Sequence, residues 1–406
     1  PVASIPLPKQ PPVDPPTLAA TWPARTHTHI LPTVHCVDMA AMMEVVDLEG
    51  QLDDADNVNT EPLPDDEALF APYTYSRTLC KESLNKGKSK YVPFPPSITQ
   101  EALDEITRSF VPRDSDVWIV SYPKSGTTWC QEILSYVIHG ESNSAPLGGG
   151  VAVGLTETEH VRWMEALTGR VEGGAPAVVR TMNDLPTNIP RCFKSHAPLE
   201  YIKQWTTPKS RVIYVARNPK DVAVSMWHHS CTKKSFNYDG PFAHFLENIF
   251  MPGRAESGNW WKHVATYFSA ENWQNIVEDD EDDPDRGGDP RLFCLWYEAI
   301  AKAEAEAVQG IAEFLGVSIT ETKAEEIAQA CSFTNMKKSE QAKGIAGCSI
   351  GAPSPSSTSS PAEGGGATIA SSSHIRSGGT GKWRDYFTVR QNERFDKVHE
   401  RALERG

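Results

Sequence analysis

The chain has 406 residues and a formal net charge of −14, long enough for one large α/β domain or two smaller ones. The negative balance argues against a polyanionic partner such as nucleic acid, and there is neither an apolar stretch long enough to span a membrane nor a signal-peptide pattern. Eight cysteines stand singly, with no CxxC pair or zinc spacing, which suits reduced thiols in a cytoplasmic protein and suggests no metal centre.

Residues 1–91 read as an acidic, proline-rich extension. Pro6, Pro8, Pro11, Pro12, Pro15 and Pro16 crowd its start, and between Arg25 and Arg77 there are eleven acids and no Lys or Arg. Such a composition buries too little apolar surface to offset the entropy of ordering, so disorder is expected, with at most a transient helix over Met39–Val46. Residues 92–406 form the folded domain, with inserted loops near 278–290 and 343–373. The first insertion holds six consecutive acids, Glu278 to Asp283, and then Asp285; the second is rich in Ser, Gly, Pro and Ala. Without the two acidic stretches the remainder is slightly basic, which suits a domain that binds an anion.

Four apolar runs predict strands at Val117–Ser121, Arg191–Lys194, Val212–Ala216 and Leu292–Trp296, and Ala299–Leu315 predicts one solvent-facing helix ended near Gly316. Strands alternating with helices predict a single P-loop-like α/β domain. Its central parallel sheet is covered by helices on both faces, and ligands sit at the carboxyl ends of the strands. The candidate site residues fall there.

After the first strand, Tyr122 to Trp129 read Y-P-K-S-G-T-T-W. A strand–loop–helix turn of this kind exposes unpaired backbone N–H groups and the positive end of a helix dipole to an anion. Lys124 adds a mobile charge and Gly126 permits close approach, while Ser125, Thr127 and Thr128 add hydroxyls that could cap the helix. The G-x-x-x-x-G-K-[ST] spacing is absent, which argues against a magnesium nucleotide. Taken alone, the loop is equally an ordinary capped turn. After the second strand, F-K-S-H-A-P places His196 beside Lys194, and a histidine there suits proton uptake near neutrality. After the third, Arg217 offers a planar fork suited to phosphate, and Ser225 follows eight residues later. His228 and His229 read as packing or surface residues.

These segments, in this order, resemble the cytosolic sulfotransferases, which use 3′-phosphoadenosine 5′-phosphosulfate (PAPS). The resemblance spans roughly residues 92–405. It implies that the Lys124–Trp129 loop holds the 5′-phosphosulfate and that Arg217, Ser225, Arg376 and Gly378 hold the 3′-phosphate. The last two lie in R-S-G-G-T-G-K-W, where Ser377 stands in place of a usual lysine. Trp129, Tyr297 and Phe333 would face the adenine, with Ser332 beside Phe333 and Cys331 replacing a usual threonine. His196 would be the general base, Ser195 replacing a threonine next to it. Lys124 and Lys194 would stabilise charge on the transferring group, and Ser225 would contact Lys124. The acceptor site of related enzymes falls in segments that hold Trp163, Met164, Phe236, Tyr238, Phe242, Phe245 and Trp260, with His263 near it. These aromatics suggest a small apolar or aromatic hydroxyl or amine as acceptor. Arg384, Thr388, Val389 and Glu393 resemble the family's dimer motif and imply a homodimer. Two rivals stay open at this point. One is a P-loop phosphotransferase, which would need a Walker lysine and a magnesium-binding aspartate; the other is a non-catalytic binder on the same fold.

Overall fold

The computed structural model describes residues 76–79, 91–95, 97–141, 160–233, 236, 238–268, 291–342 and 378–404. Two short strands, β1 (Ser76–Leu79) and β2 (Tyr91–Phe94), pair antiparallel with Ser76 opposite Phe94. The expected boundary at residue 91 therefore falls at the start of a strand, and part of the expected extension pairs with the domain. Met39–Val46 and both expected insertions lie outside the described residues.

The central sheet comprises β3 (Val117–Ser121), β4 (Val161–Arg162), β5 (Cys192–Ser195), β6 (Arg211–Ala216) and β7 (Leu292–Trp296), all parallel, in the order β4-β5-β3-β6-β7. Four of these were legible as apolar runs; β4 is two residues long and carries no such signal. Both faces of the sheet are covered, so β3 and β6 are buried throughout and read as continuous apolar runs rather than alternating ones.

The pleat sends Trp118, Val120, Phe193 and Tyr214 to one face and Val117, Ile119, Cys192 and Ile213 to the other. The first face packs on α1 (Gln100–Ser109), α4 (Gly174–Asn183), α5 (Leu199–Trp205), α6 (Pro219–Thr232), α8 (Trp260–Phe268) and α13 (Val389–Glu404). Trp118 lies at its centre, stacked 4.7 Å from Phe193 and 5.9 Å from Trp205. The second face packs on α2 (Thr127–His139), α10 (Glu304–Phe314) and α11 (Glu321–Ala330). The smaller helices α3 (Met164–Leu167), α7 (Phe242–Phe245), α9 (Tyr297–Lys302) and α12 (Phe333–Ala342) complete the layers. Among the described residues, no helix is long and apolar enough to cross a membrane.

The single helix expected over Ala299–Leu315 is instead two, α9 and α10, broken at Ala303 (φ −145°, ψ 72°). Its Ala, Glu and Lys content favours helix throughout, so local propensity cannot place the break. Burial can: α9 buries Tyr297 and Ile300, α10 buries Val308, Ile311 and Phe314, and one straight rod does not serve both seats. Glu304 and Glu306 in the first turn of α10 complement its dipole.

Below the sheet, a buried pair pins the amino ends of β3 and β5. Arg191 donates from Nε to Asp116 Oδ1 at 2.7 Å and from Nη2 to Oδ2 at 2.6 Å. At the opposite end, the connection leaving β3 turns toward β4 and that leaving β6 toward β7. A crevice opens between these strand ends, where the sheet's connectivity reverses.

Candidate active site

Register decides which residues meet in the crevice. Val120 lies level with Ser195 on β5 and Tyr214 on β6, and Ala216 lies level with Trp296 on β7. The residues just past these strand ends are therefore neighbours. Arg217 and Tyr297 emerge side by side, the guanidinium carbon 4.2 Å from the tyrosine ring centre. Arg217 also donates to the carbonyl of Lys124 at 3.2 Å and to that of Gly379 at 3.1 Å, tying three segments together.

The loop after β3 is tight. Lys124 takes a left-handed conformation (φ 71°), as does Gly126 (φ 105°), which is the N-cap of α2. No side chain caps this helix, so the hydroxyls do not play the capping role expected of them. Thr127 Oγ1 instead pairs with Ser121 Oγ at 2.6 Å, and Ser125 Oγ is buried with no hydrogen-bond partner. An uncapped N-terminus opening on a cavity leaves its first-turn amides available to an anion. Glycine is required at 126 on two counts. Its φ is positive, and a Cβ there would stand 2.6 Å from Tyr297 Cδ2.

The crevice deepens into a cavity of about 330 Å³ lined by Lys124, Gly126, Thr127, Thr128, Trp129, Lys194, His196, Arg217, Ser225, Tyr297, Phe333 and Gly378, among others. Most of the expected site is thus brought together. In its wall, Trp129 meets Tyr297 edge-on with ring centres 5.4 Å apart. Gly378 lies so close to Phe333 that a Cβ would approach its ring to 2.6 Å. Ser225 and Lys124 share the cavity but form no hydrogen bond with each other. Ser125 and Ser332 do not reach its wall, and Arg376 lies outside the described residues.

His196 is 9 % exposed, and its Nδ1 lies 2.8 Å from the carbonyl oxygen of Ser121. A carbonyl only accepts, so Nδ1 carries the hydrogen and Nε2 keeps its lone pair. Burial, then the nearby Lys194 charge, push the imidazole down to about 3, holding it neutral. The preceding Ser195 hydroxyl donates to buried Glu165 and accepts from the amide of Ala197 at 3.0 Å, fixing the turn that carries the histidine. Serine thus keeps the hydroxyl of the threonine it replaces. Lys194 Nζ donates to Gln131 at 3.2 Å and lies 4.8 Å from the Trp163 ring centre. Burial lowers Lys124 to about 8, Glu256 opposing and Lys233, Arg217 and Lys194 reinforcing the shift.

Of the expected acceptor residues, Trp163 lines the cavity, edge-on to His196 at 5.2 Å. Met164, Phe236, Tyr238, Phe242, Phe245 and Trp260 are buried in the core instead. His263 is a core residue bonded to the Tyr214 hydroxyl at 2.8 Å, where helical aromatic packing accounts for it. Sequence reasoning also missed several wall residues. His229, expected as packing or surface, lines the cavity together with Asp221, Val224 and Ser225. Their spacing of three, four and eight residues along α6 is one helix face, a signal that was present but unread. Asp221 accepts from the amides of Gly381 (2.7 Å) and Trp383 (3.0 Å), holding the 378–383 segment over the cavity. Glu256, in the wall as well, sits in a loop with no periodic signal. Among the described residues, no group of three or more His, Cys, Asp or Glu could hold a metal ion.

The profile of the sulfotransferase domain family matches residues 114–278 and 286–406. Rat sulfotransferase 1A1 (Rattus norvegicus) is 31% identical over 301 residues, 73% of this chain and 87% of its own length. Mouse sulfotransferase 2B1 (Mus musculus) is 28% identical over 320 residues, 77% of this chain and 79% of its own. Among solved structures, a retinol dehydratase in complex with androsterone and inactive cofactor PAP superposes with a TM-score of 0.57. It shares 19% identity and covers 83% of this chain and 91% of its own, a likeness of fold. On the breadth of these matches, over the domain that carries the cavity, the chain belongs to the sulfotransferase family.

Proposed function

We propose that this sulfotransferase moves the sulfuryl group of PAPS by direct in-line displacement to a hydroxyl or amine of a small apolar or aromatic acceptor, with His196 as general base. The observation that carries the reading is the His196 tautomer. Its Nδ1 hydrogen is committed to the Ser121 carbonyl, and its Nε2 lone pair is left for a proton in a cavity that also holds Lys124 and Lys194. The donor fits the wall. An uncapped helix N-terminus, the basic side chains of Lys124 and Arg217 among others, and the rings of Trp129, Tyr297 and Phe333 suit an anionic adenine nucleotide. A retinol dehydratase of the same fold is complexed with PAP, adenosine 3′,5′-bisphosphate, which agrees with this assignment.

PAPS supplies an activated sulfuryl group on a phosphosulfate linkage. In this reading, Lys124 and the amides of the α2 first turn, with Thr127 and Thr128, bind the 5′ end. Arg217, Ser225 and Gly378 bind the 3′-phosphate, and Trp129, Tyr297 and Phe333 hold the adenine. Nε2 of His196 takes the acceptor's proton while Lys194 and Lys124 offset negative charge developing around sulfur, a fixed field that needs no reorganisation. The protein acts in the cytoplasm, and its homodimer contact is formed through Arg384, Thr388, Val389 and Glu393, all of them exposed.

Calorimetric titration tests the donor. Tight binding of adenosine 3′,5′-bisphosphate without magnesium, with ATP failing to compete, is the expected result. Preference for ATP with magnesium would replace sulfuryl by phosphoryl transfer.

A further inference from the structure

Glu256 has no role in the chemistry above, yet it sits in the cavity wall with Lys194, His196 and His229. It is 3 % exposed, and its carboxylate forms no hydrogen bond or ion pair among the described residues. Its oxygens open on the cavity, and Lys124, Lys194 and Lys233 act on it through charge rather than through a hydrogen bond, so its acceptor capacity is left to whatever the cavity holds.

The loop that presents it is built rather than incidental. Ser257, the next residue, holds a left-handed conformation (φ 65°) that a non-glycine residue rarely adopts. Three bonds fix it there. The Ser257 amide donates to the Pro93 carbonyl at 2.8 Å, and its hydroxyl donates to the carbonyl of His196 itself at 2.9 Å. The Tyr122 hydroxyl donates to the Gly258 carbonyl at 2.9 Å. One clamp therefore joins the Glu256 loop to the backbone of the base and to the loop that carries Lys124.

We propose that Glu256 selects the acceptor, accepting a hydrogen bond from a second hydroxyl or amine that the acceptor carries besides the group that is sulfated. This rests on the sulfuryl-transfer reading of the cavity. An aromatic wall at Trp163 holds the ring, His196 faces the reacting hydroxyl, and the carboxylate, which the lysines reach only through charge, gains a hydrogen-bond donor when such an acceptor is bound.

The titratable groups facing Glu256 are Lys124 after β3, Lys194 on β5, Lys233 after α6, and the His196 and His229 imidazoles. Burial raises the carboxyl to about 7, the lysines pulling it back. Its folded value thus lies above its unfolded one, so ionisation costs stability, increasingly as pH rises from the ordinary carboxyl range through 7.

The test is steady-state turnover with PAPS of the three dihydroxybenzenes against their three monomethyl ethers, in the wild type and in Glu256→Gln. Adenosine 3′,5′-bisphosphate titration and thermal melts at pH 5 and pH 8 accompany it. The methyl ether keeps the ring and one reacting hydroxyl while masking the second donor. The wild type should favour at least one diol over its ether by about 10- to 100-fold in kcat/KM, mainly through KM, as a hydrogen bond to a charged group allows. Glu256→Gln should collapse that ratio and melt higher than wild type at pH 8 but not at pH 5. Turnover with no diol preference, a preference that survives Glu256→Gln, turnover of none of the six, or a lower melting temperature for the variant at pH 8 overturns the inference alone. Failure to bind the bisphosphate overturns the donor assignment and this inference with it.

Discussion

At the scale of single residues, the fold imposes the protonation states of the groups in the cavity. His196 is neutral because it is buried among lysines, and its tautomer is set by one carbonyl. His196→Ala should lower kcat by roughly 100- to 10,000-fold, the range of general-base contributions. Calorimetry should show bisphosphate binding retained, and near-normal turnover would remove His196 from the base role. Because its pKa lies far below 6.5, kcat/KM for an acceptor without a second hydroxyl or amine should show no inflection between pH 6 and 7. Lys124 carries the complementary dependence. With its pKa near 8, it loses charge as pH rises through that value, so bisphosphate affinity should fall between pH 7 and 9.5. A bound anion favours the charged form, so binding at pH 8.5 should draw a proton from solvent. Titrations in two buffers of different ionisation enthalpy read that proton directly, and equal heats would refute it.

At the scale of elements, the loop between β3 and α2 is the demanding one. Gly126→Ala places a Cβ against the Tyr297 ring in a backbone conformation that alanine resists. A loss of about 1–3 kcal/mol in chemical denaturation is expected, together with weaker bisphosphate binding, because Tyr297 must shift. A neutral effect would mean that the loop relaxes freely. Much of this element was legible: an apolar run, a lysine, a glycine and two threonines in order specify strand, anion loop and helix. What the hydroxyls do was not. Thr127 turns inward because Ser121 waits at the end of the preceding strand, a partner that only the folded loop supplies. The break at Ala303 was hidden for the same kind of reason, since the helix-favouring residues around it give no stop signal and the two halves answer to different buried seats.

At the scale of the whole molecule, Val389 is 77 % exposed at the start of α13, beside Arg384, Thr388 and Glu393. An apolar side chain held in solvent on a helix start suits a small symmetric contact. Sedimentation velocity should find a dimer for the wild type and a monomer for Val389→Glu, with turnover per subunit retained. A monomeric wild type would sink the dimer assignment. The sheet itself depends on the Asp116–Arg191 pair at the end opposite the cavity, where a buried charge stripped of its partner is strongly destabilising.

The sequence by itself marked the candidate reactive groups and the strand ends near which they lie. His196, Arg217 and Tyr297 directly follow a strand, Lys194 lies at the end of one and Lys124 in the loop after one, and in a parallel sheet with ligands at its carboxyl ends that position is already an address. Those assignments are local, so local chemistry encodes them. Tertiary structure decided the rest. Parallel register set Arg217 against Tyr297, Asp221 reached across to hold the 378–383 segment, and three bonds from distant segments turned Glu256 into the wall. Contacts between residues far apart in the chain leave no periodicity in it, and a buried carboxylate in a Gly- and Ser-containing loop reads as an ordinary turn until the surrounding elements close over it.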